Sequence, residues 1–361
     1  MAQLDALFRE LKSSKGSDLH LAAGIRPHIR ARGKLVAVTD WPVLDDAGLR
    51  DLLREIAPAE LWESYENTGD LDFAYGLAGV ARFRANYFVQ ENGAGAIFRI
   101  IPADIIPLED LKLPPAIDGL ANLEQGLVLV TGPTGSGKST TLASIIDRIN
   151  STQAKHIVTI EDPVEFVHPN KRCTISQREV GTDTESFSAA LRAAIRQDAD
   201  VVLVGEMRDL DTINLAITAA EMGALVFGTL HTNNAAKTID RLIDAFPAEQ
   251  QAQIRSTLSE SIAAIVSQLL LPTAEGGGRC AANEILLRTS ALANIIREGN
   301  TPMLSSVIQS GKNAGMQTMD DALFQLVKAG RISAEDAYSK ATDKKRLATL
   351  LPTGSRASPE T

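Results

Sequence analysis

A glycine-rich segment offers the clearest chemistry in this sequence. Residues 132–140 read GPTGSGKST and match the pattern G-x-x-x-x-G-K-[ST]. Glycines let successive backbone N–H groups turn inward onto phosphate oxygens, and the positive end of a following helix strengthens the attraction. An apolar run precedes the segment and a helical pattern follows it, as a phosphate-binding loop requires. The predicted nucleotide-binding residues are Gly132, Pro133, Thr134, Gly135, Ser136, Gly137, Lys138, Ser139 and Thr140.

Two side chains of this segment have specific expected roles. Lys138 is expected to reach the β- and γ-phosphates of a nucleoside triphosphate. The hydroxyl of Ser139 is expected to ligate Mg²⁺. The sequence therefore predicts that ATP and Mg²⁺ bind here; the alternative is a glycine-rich turn without a ligand.

Further polar side chains follow three other apolar runs. VVLVGE ends at Glu206, and ligands in open α/β sheets lie at the carboxyl ends of the strands. We predict that Glu206 holds Mg²⁺, directly or through water, or orients the attacking water; the alternative is a helix cap or an ion pair. IEDPVEF contributes three further acids, Glu161, Asp162 and Glu165. They are candidates for the same site, and the alternative is that they are solvated carboxylates at the surface. His231 ends ALVFGTLH and is a candidate γ-phosphate sensor, although a lone histidine is more often a hydrogen-bonded core or surface residue.

The elements that would position these residues alternate along the chain. From Gly126 onward, short runs of Val, Ile and Leu alternate with helical patterns, which predicts a parallel sheet covered on both faces. The earlier part of the chain mixes short helical and strand-like segments, an α+β pattern. The predicted fold class is α/β, with a smaller N-terminal α+β domain at 1–102, a proline-containing linker at 103–116, an ATPase domain at 117–342 and a disordered tail at 343–361.

The last third of the chain is expected to be mostly helical from about Phe246 onward. The apolar residues of the segment Ile254–Leu271 are spaced by three and four, which predicts an amphipathic helix with one buried face. A hairpin turn is expected at the three glycines 276–278.

Composition excludes several classes of protein. The chain has 361 residues, of which 44% are hydrophobic and 22% charged, an ordinary composition for a soluble globular protein. Its net charge of −9 disfavours binding of nucleic acid through a basic surface. Its two cysteines, Cys173 and Cys280, are too few and too far apart for a disulfide scaffold or a cysteine-based zinc site. The sequence has no secretory signal and no apolar stretch of about 20 residues, so we expect a cytoplasmic location without direct membrane insertion.

Several ordered blocks of the sequence resemble the secretion and type IV pilus ATPases, and within them the PilT-type retraction motors. The matching blocks are GSDLHL, RFRANYF, GAGAIFRIIP, GPTGSGKST, TIEDPVEF, VGEMRD, GTLHTNNAAKTIDR and GMQTMDDAL. The resemblance implies a PAS-like N-terminal domain, a RecA-like ATPase domain and a homohexameric ring that hydrolyses Mg-ATP to power pilus retraction and twitching motility. It also implies an inner-membrane platform protein as partner, and hence a location at the inner membrane through the pilus machinery.

The same resemblance implies roles for particular residues. Glu165 lies in the family's acidic box as the water-activating carboxylate, Glu206 is the Walker B glutamate, and His231 belongs to the histidine box. In the family, some arginines of the N-terminal domain approach the phosphates across the domain cleft, and an arginine supplied across an interface contributes roughly 10³- to 10⁵-fold to the rate of phosphoryl transfer. The matching arginines here are Arg82, Arg84 and Arg99, with Arg208 and Arg241 as further candidates.

Three positions depart from the family pattern. Ala224 replaces a second histidine, Asn92 replaces an arginine, and Ala293 replaces an arginine in the block ALANIIRE, which is tied to retraction. The glycine-rich segment and both glutamates are intact, so we expect ATP hydrolysis to survive. Two alternatives stay open: a divergent accessory or regulatory subunit that binds ATP without hydrolysing it, and a RecA-like nucleic-acid translocase, which a shared fold permits and the net charge disfavours.

Overall fold

The computed structural model describes residues 2–31, 33–101 and 104–351. The chain divides into two compact units. The first comprises Met1–Asp104 together with Pro163–Val167, and the second comprises Ile105–Asp162 and His168–Thr361.

In its described residues, the first unit is an antiparallel sheet of six strands with three helices. In chain order its elements are α1 (Leu4–Ser13), β1 (Asp18–Ala22), β2 (His28–Ala31), β3 (Lys34–Ala37), α2 (Asp46–Arg54), α3 (Ala59–Thr68), β4 (Asp70–Leu77), β5 (Ala81–Gln90) and β6 (Gly93–Ile101). The strands lie side by side in the order β3-β2-β1-β6-β5-β4, and every neighbouring pair is antiparallel.

Strand β5 illustrates why this sequence forms a sheet with one buried face. Phe83, Ala85 and Tyr87 are fully buried, whereas the residues between them are exposed or half-buried. This alternation follows from the two-residue period of a strand. Phe8 of α1 stacks on Phe83 with 4.3 Å between the ring centroids, and Leu49 of α2 belongs to the same apolar cluster. The helices therefore cover the inner face and leave the outer face to polar side chains.

The described residues of the second unit are built on a seven-stranded sheet. Its elements are α4 (Pro115–Gly119), β7 (Gly126–Thr131), α5 (Lys138–Thr152), β8 (His156–Glu161), β9 (Thr174–Glu179), α6 (Phe187–Ala194), β10 (Val201–Val204), α7 (Leu210–Glu221), β11 (Leu225–Leu230), α8 (Ala235–Asp244), α9 (Ala248–Ser261), β12 (Ile262–Pro272), β13 (Arg279–Leu287), α10 (Ser290–Glu298), α11 (Leu304–Ser310), α12 (Met319–Lys328), α13 (Ala334–Lys340) and α14 (Lys344–Ala348), with short 3₁₀ turns at Leu120–Asn122, Thr301–Met303 and Lys312–Ala314. The strand order is β13-β12-β7-β11-β10-β8-β9.

All neighbouring strands of this sheet are parallel except β12 and β13. Every residue of β7, β10 and β11 is buried, as expected for strands covered on both faces. The predicted α/β class, with a smaller N-terminal part and a larger part built on a parallel sheet, is confirmed. Because the strands are parallel, the carboxyl ends of β7, β8, β10 and β11 lie at one edge of the sheet, where the candidate residues of the sequence analysis are found.

The helices of the described residues are short. The longest, α5, has 15 residues, and α9 has 14. Spanning a bilayer takes about 20 apolar residues. No helix in the described part of the chain combines the length and the apolar character needed to cross a membrane.

The predicted amphipathic helix over Ile254–Leu271 is wrong in its second half. Helix α9 ends at Ser261, and β12 begins at Ile262. The residues 262–266 are all apolar and buried, and β12 pairs with β7 on one side and β13 on the other. A continuous apolar run satisfies both helical spacing and a fully buried strand, so spacing alone did not distinguish them. The hairpin turn between β12 and β13 is confirmed, with positive φ at two of its glycines, Gly276 and Gly277.

The prediction of a disordered tail from Asp343 is wrong as far as residue 351. Asp343 accepts hydrogen bonds from the backbone N–H groups of Lys345 and Arg346 and so caps α14. Leu347 of this helix is fully buried in an apolar cluster with Leu323 and Ile332. A buried leucine and a helix N-cap thus order a segment whose polar composition predicted disorder. Residues 352–361 of the predicted tail lie outside the described residues.

Most of the stretch predicted as a linker lies within the second unit, which begins at Ile105. Leu108 is buried in the apolar cluster beneath α5, and Ser144 of that helix donates a hydrogen bond of 2.6 Å to the carbonyl oxygen of Ile106. The proline content of a segment therefore does not exclude a packed path along a domain surface.

Replacing Leu347 by Ala tests the packing of α14. The substitution removes a fully buried side chain, and such changes cost about 2–5 kcal/mol in the free energy of unfolding. We expect urea unfolding to detect a loss in this range for Leu347→Ala. The exposed Lys345 of the same helix gives a matched control, because Lys345→Ala is expected to change the free energy by less than about 0.5 kcal/mol. Equal effects of the two variants would show that α14 is not packed.

Candidate nucleotide-binding site

The predicted phosphate-binding loop connects the end of β7 to the start of α5. Gly132, Gly135 and Gly137 have φ values of +144°, +78° and +85°, a range that side-chain-bearing residues rarely adopt. Gly137 is the residue immediately before α5, whose first residue is Lys138. The loop therefore leads into the amino end of a helix, where unpaired N–H groups and the helix dipole favour an anion.

Two of these glycines are also required by close packing. A Cβ atom on Gly132 would lie 2.3 Å from the carbonyl oxygen of Gln268, and one on Gly137 would lie 2.9 Å from Nε2 of the same residue. A Cβ atom on Gly135, in contrast, would meet nothing within 4 Å. The glycine pattern that identified the loop thus has two physical causes: backbone conformation at all three positions and contact with strand β12 at two of them.

The side chains of the loop fit an anionic ligand. The ammonium group of Lys138 lies over the loop and donates hydrogen bonds to the carbonyl oxygens of Gly132 and Pro133, at 2.9 and 3.2 Å. The hydroxyl of Ser136 is buried and has no hydrogen-bond partner among the described residues, so it is a donor that a phosphate oxygen would satisfy. Ser139, in the first turn of α5, supplies the hydroxyl oxygen expected for Mg²⁺.

Glu206 and His231 follow neighbouring strands and are in contact. Glu206 lies two residues after β10 and His231 directly follows β11. One carboxylate oxygen of Glu206, Oε1, is 3.1 Å from Nε2 of His231 and 2.6 Å from Nε of Arg208. Burial by itself would raise the pKa of Glu206, but the hydrogen bonds and charges of Arg208 and His231 outweigh it and lower the pKa below its usual value. Glu206 is therefore ionised at neutral pH, and its carboxylate oxygens are ligands that Mg²⁺ prefers.

Backbone hydrogen bonds hold the segment that carries Glu206. The N–H of Gly205 donates to the carbonyl oxygen of Ile160 at 2.8 Å, and the N–H of Met207 donates to that of Thr229 at 3.1 Å. The hydroxyl of Thr229 donates to the carbonyl oxygen of Gly205. Glu206 is thus anchored to both neighbouring strands, which makes its position a property of the sheet.

The other acidic candidates differ in their surroundings. Glu161 is buried and accepts hydrogen bonds from Thr159 at 2.8 Å and from Gln177 at 3.2 Å, so neither simple solvation nor a free catalytic carboxylate describes it. Asp162 is exposed. Glu165 is exposed and falls in the segment Pro163–Val167, which belongs to the first unit. Its expected role as the water-activating carboxylate stays a prediction.

The three N-terminal arginines share the outer face of the sheet of the first unit. Arg84 of β5 lies directly opposite Arg99 of β6, and Arg82 is two residues before Arg84. Nε of Arg99 lies 2.8 Å from a carboxylate oxygen of Asp18, and Nε of Arg84 lies 3.8 Å from one of Asp72. The side chains of Arg99 and Arg84 are 71% and 48% exposed, whereas Arg82 is half-buried. Their approach to phosphates stays a prediction.

The structure therefore gathers part of the predicted site at one sheet edge: the loop, Glu206 and His231. Arg208 joins them through Glu206, whereas Arg241 lies in the last turn of α8. Gln268, which packs against Gly132 and Gly137 of the loop, was not predicted from the sequence. Its signal was available as a single polar amide within the apolar run IVSQLLL of a buried strand.

Comparison with known proteins finds extended similarity. The family model described as Type II/IV secretion system protein matches residues 93–343. The type IV pilus retraction ATPase PilT of Pseudomonas aeruginosa is 51% identical over 325 residues, which cover 90% of this chain and 94% of that protein. A twitching motility protein of Neisseria gonorrhoeae is 47% identical over 321 residues, covering 89% and 86%. The crystal structure of the pilus retraction motor PilT with bound ADP matches with a TM-score of 0.89 at 44% identity and covers 96% of this chain and 98% of that one.

Alanine substitutions in the loop separate the two roles of its glycines. Gly135→Ala meets only the conformational cost of positive φ, about 1 kcal/mol. Gly132→Ala adds a clash with a backbone carbonyl, for a total of about 2–4 kcal/mol. We expect urea unfolding without nucleotide to rank the variants in this order. Equal losses would contradict the close contact between the loop and β12.

The ion pair at Glu206 predicts a pH-dependent difference in stability. The pKa of Glu206 is lower in the folded state than in the unfolded state. The stabilisation of the fold by the ionised Glu206 is therefore fully present above the unfolded-state pKa, and it is lost as the pH falls through the folded-state pKa. Arg208→Gln removes the principal partner. We expect this variant to be less stable than the wild type at pH 7, with the difference shrinking below about pH 4.3. A difference that is constant across this range in urea unfolding would contradict the assignment.

Proposed function

The chain belongs to the type II/IV secretion system protein family, and on this basis we propose that it is an ATPase that powers the retraction of a type IV pilus. One observation carries the proposal: a glycine loop with Lys138 leads into the amino end of α5, and an ionised Glu206 in contact with His231 lies at the same edge of the sheet. The relatives named for pilus retraction and twitching motility support the mechanical role.

In the proposed reaction, the backbone N–H groups of the loop and the ammonium group of Lys138 hold the β- and γ-phosphates of ATP. The hydroxyl of Ser136 donates to a phosphate oxygen, since it has no partner among the described residues. Ser139 and Glu206 would hold Mg²⁺, whose charge neutralises the phosphate oxygens. Glu165 is the proposed acceptor of the proton from the attacking water, and His231 senses the γ-phosphate through its contact with Glu206.

The two compact units suggest how hydrolysis becomes motion. We assign Arg82, Arg84 and Arg99 of the first unit to charge stabilisation at the phosphates as that unit closes on a nucleotide. ATP must then bind the closed state more tightly than the open state, because a ligand shifts an equilibrium only by its differential affinity. In a homohexameric ring, closing and opening of successive units would turn the pilus platform protein.

The proposed location follows from this role. The protein works in the cytoplasm at the inner membrane, attached through the pilus machinery and its platform protein and not by insertion of its own chain. Nucleic acid is not part of the proposed cycle, and the net charge of −9 agrees with that.

A second candidate, an accessory subunit of a pilus motor, is favoured by two of the departures from the family pattern. Ala224 stands where the family has a histidine, and Ala293 stands where it has an arginine in the block tied to retraction. Ala293 lies in α10, outside the loop and away from the strand ends that carry Glu206 and His231. The chemistry and the mechanical role are therefore separable by mutation.

Lys138→Ala and Glu206→Gln test the chemistry. Removing a preorganised charge that stabilises a developing anion costs about a hundredfold or more in turnover; Lys138 supplies such a charge directly, and Glu206 would supply it through the Mg²⁺ that it holds. We expect Lys138→Ala to lose both ATP binding and hydrolysis, and Glu206→Gln to keep binding while its Mg-dependent phosphate release falls about a hundredfold. Lys328→Ala, at an exposed lysine of α12, is the control and is expected to match the wild type. Unchanged turnover in either site variant would refute the proposed enzyme.

Complementation distinguishes the principal motor from an accessory subunit. In a bacterial strain that cannot retract its pili, the wild-type chain is expected to restore twitching motility. Ala293→Arg restores the family's arginine, and Ala291→Arg, at a neighbouring exposed position of α10, is the matched control. If only Ala293→Arg restores motility, the accessory interpretation replaces the proposed one.

A further inference from the structure

A buried amide side chain lies directly against the phosphate-binding loop. Gln268 is the seventh residue of β12, which runs parallel to β7, and only 2% of it is exposed. Apolar residues flank it on the C-terminal side, and the run before it is apolar as well except for Ser267. A polar group buried in such a strand is destabilising unless its hydrogen bonds are made, so its partners indicate what it does.

The partners of Gln268 lie in the loop, the following helix and the neighbouring strand. Its Nε2 donates to the carbonyl oxygen of Ser136 at 2.6 Å. Its Oε1 accepts from the hydroxyl of Thr141 at 2.9 Å and from Nδ2 of Asn283 at 3.0 Å. The orientation of the amide is fixed, because a carbonyl oxygen only accepts and the amide nitrogen must therefore face Ser136.

The bond to Ser136 also sets the direction of a donor in the loop. In a planar trans peptide unit, the C=O and the N–H point in opposite directions. When the carbonyl of Ser136 points at Gln268, the N–H of Gly137 in the same peptide unit points away from β12. Gly137 immediately precedes α5, so its N–H is one of the groups that a phosphate-binding loop presents to its ligand.

Further contacts tie the same strand to the loop. The hydroxyl of Thr131, the last residue of β7, lies 2.9 Å from that of Ser267. Gly132 packs on the carbonyl oxygen of Gln268, as described above. Thr141 is in the first turn of α5 and is 2% exposed, so its bond to Gln268 links the loop's exit to the same amide. The loop is therefore held at its start, at its last peptide unit and at the helix that follows.

We propose that Gln268 is a positioning residue of the nucleotide site, which holds the Ser136–Gly137 peptide unit so that the Gly137 N–H is aimed at a phosphate group before the nucleotide arrives. Asn283 and Thr141 fix the amide in turn. The inference rests on the proposed function, because it assigns a role in binding a nucleoside di- or triphosphate. Gln268 itself does not contact the substrate in this proposal.

Gln268→Met tests the proposal, since methionine has a similar length and volume but no amide. We expect calorimetry on the full-length protein to give a Kd for Mg-ADP about tenfold to a hundredfold weaker than that of the wild type, the effect of losing a hydrogen bond to a charged group. In this proposal, the hydrogen bond from the Gly137 N–H to the phosphate is made equally in the bound substrate and in the transition state. KM for ATP is therefore expected to rise by a similar factor while kcat stays within about threefold.

Leu286→Ala is the matched control for a general loss of stability. Leu286 is fully buried in the adjacent strand β13, where it pairs with Ile265 of β12. None of the hydrogen bonds described for the loop involves Leu286. Its variant is expected to lower the unfolding temperature and to leave the Kd for Mg-ADP unchanged. A purely structural role of Gln268 predicts the same behaviour for Gln268→Met.

Thr141 provides a second pair of variants should Gln268→Met fail to fold. Thr141→Val removes the hydroxyl that donates to Gln268, and Thr141→Ser keeps it. We expect Thr141→Val to bind Mg-ADP more weakly than Thr141→Ser. A wild-type Kd in either Gln268→Met or Thr141→Val overturns the inference alone, whereas a wild-type protein that binds no nucleotide overturns the proposed function and this inference with it.

Discussion

The loop after β7 is shaped to attract an anion, and the proposed function rests on that attraction. Backbone N–H groups, the ammonium group of Lys138 and the amino end of α5 concentrate positive charge in one small volume. Such a loop needs positive φ at three glycines and close packing at two of them. The buried strands of the second unit supply the rigid frame that holds this conformation.

The parallel arrangement of that sheet explains why residues far apart in sequence serve one site. Glu206 and His231 follow different strands, but parallel strands end at the same edge, and the two side chains are 3.1 Å apart. Backbone hydrogen bonds donated to the carbonyl oxygens of Ile160 and Thr229 keep the Glu206 segment in place. The arginines proposed to assist lie in the first of the two units.

The sequence was most informative where one pattern has one physical meaning. The glycine spacing of 132–140 predicted a loop between a strand and a helix, and the structure places it between β7 and α5. Glu206 follows its strand as predicted, and the ion pair given as an alternative for it is also present. The strand Ile262–Pro272 was mistaken for a helix, since a continuous apolar run satisfies both periodicities. Leu347 orders a segment through contacts with distant residues that local composition does not reveal. Gln268 is a visible polar residue in an apolar run, but its hydrogen-bond partners lie in the loop, α5 and β13, so the local sequence did not reveal what it holds.

Ligands that share a base and differ in phosphates test whether the loop anchors the nucleotide. Calorimetric titration of the full-length protein with Mg-ADP and with adenosine isolates the contribution of the phosphate groups. If the loop is the anchor, Mg-ADP binds at one site per chain and adenosine binds at least about a hundredfold more weakly, because the charge-assisted hydrogen bonds are absent. Equal affinities for the two ligands, or no uptake of Mg-ADP, would contradict the account.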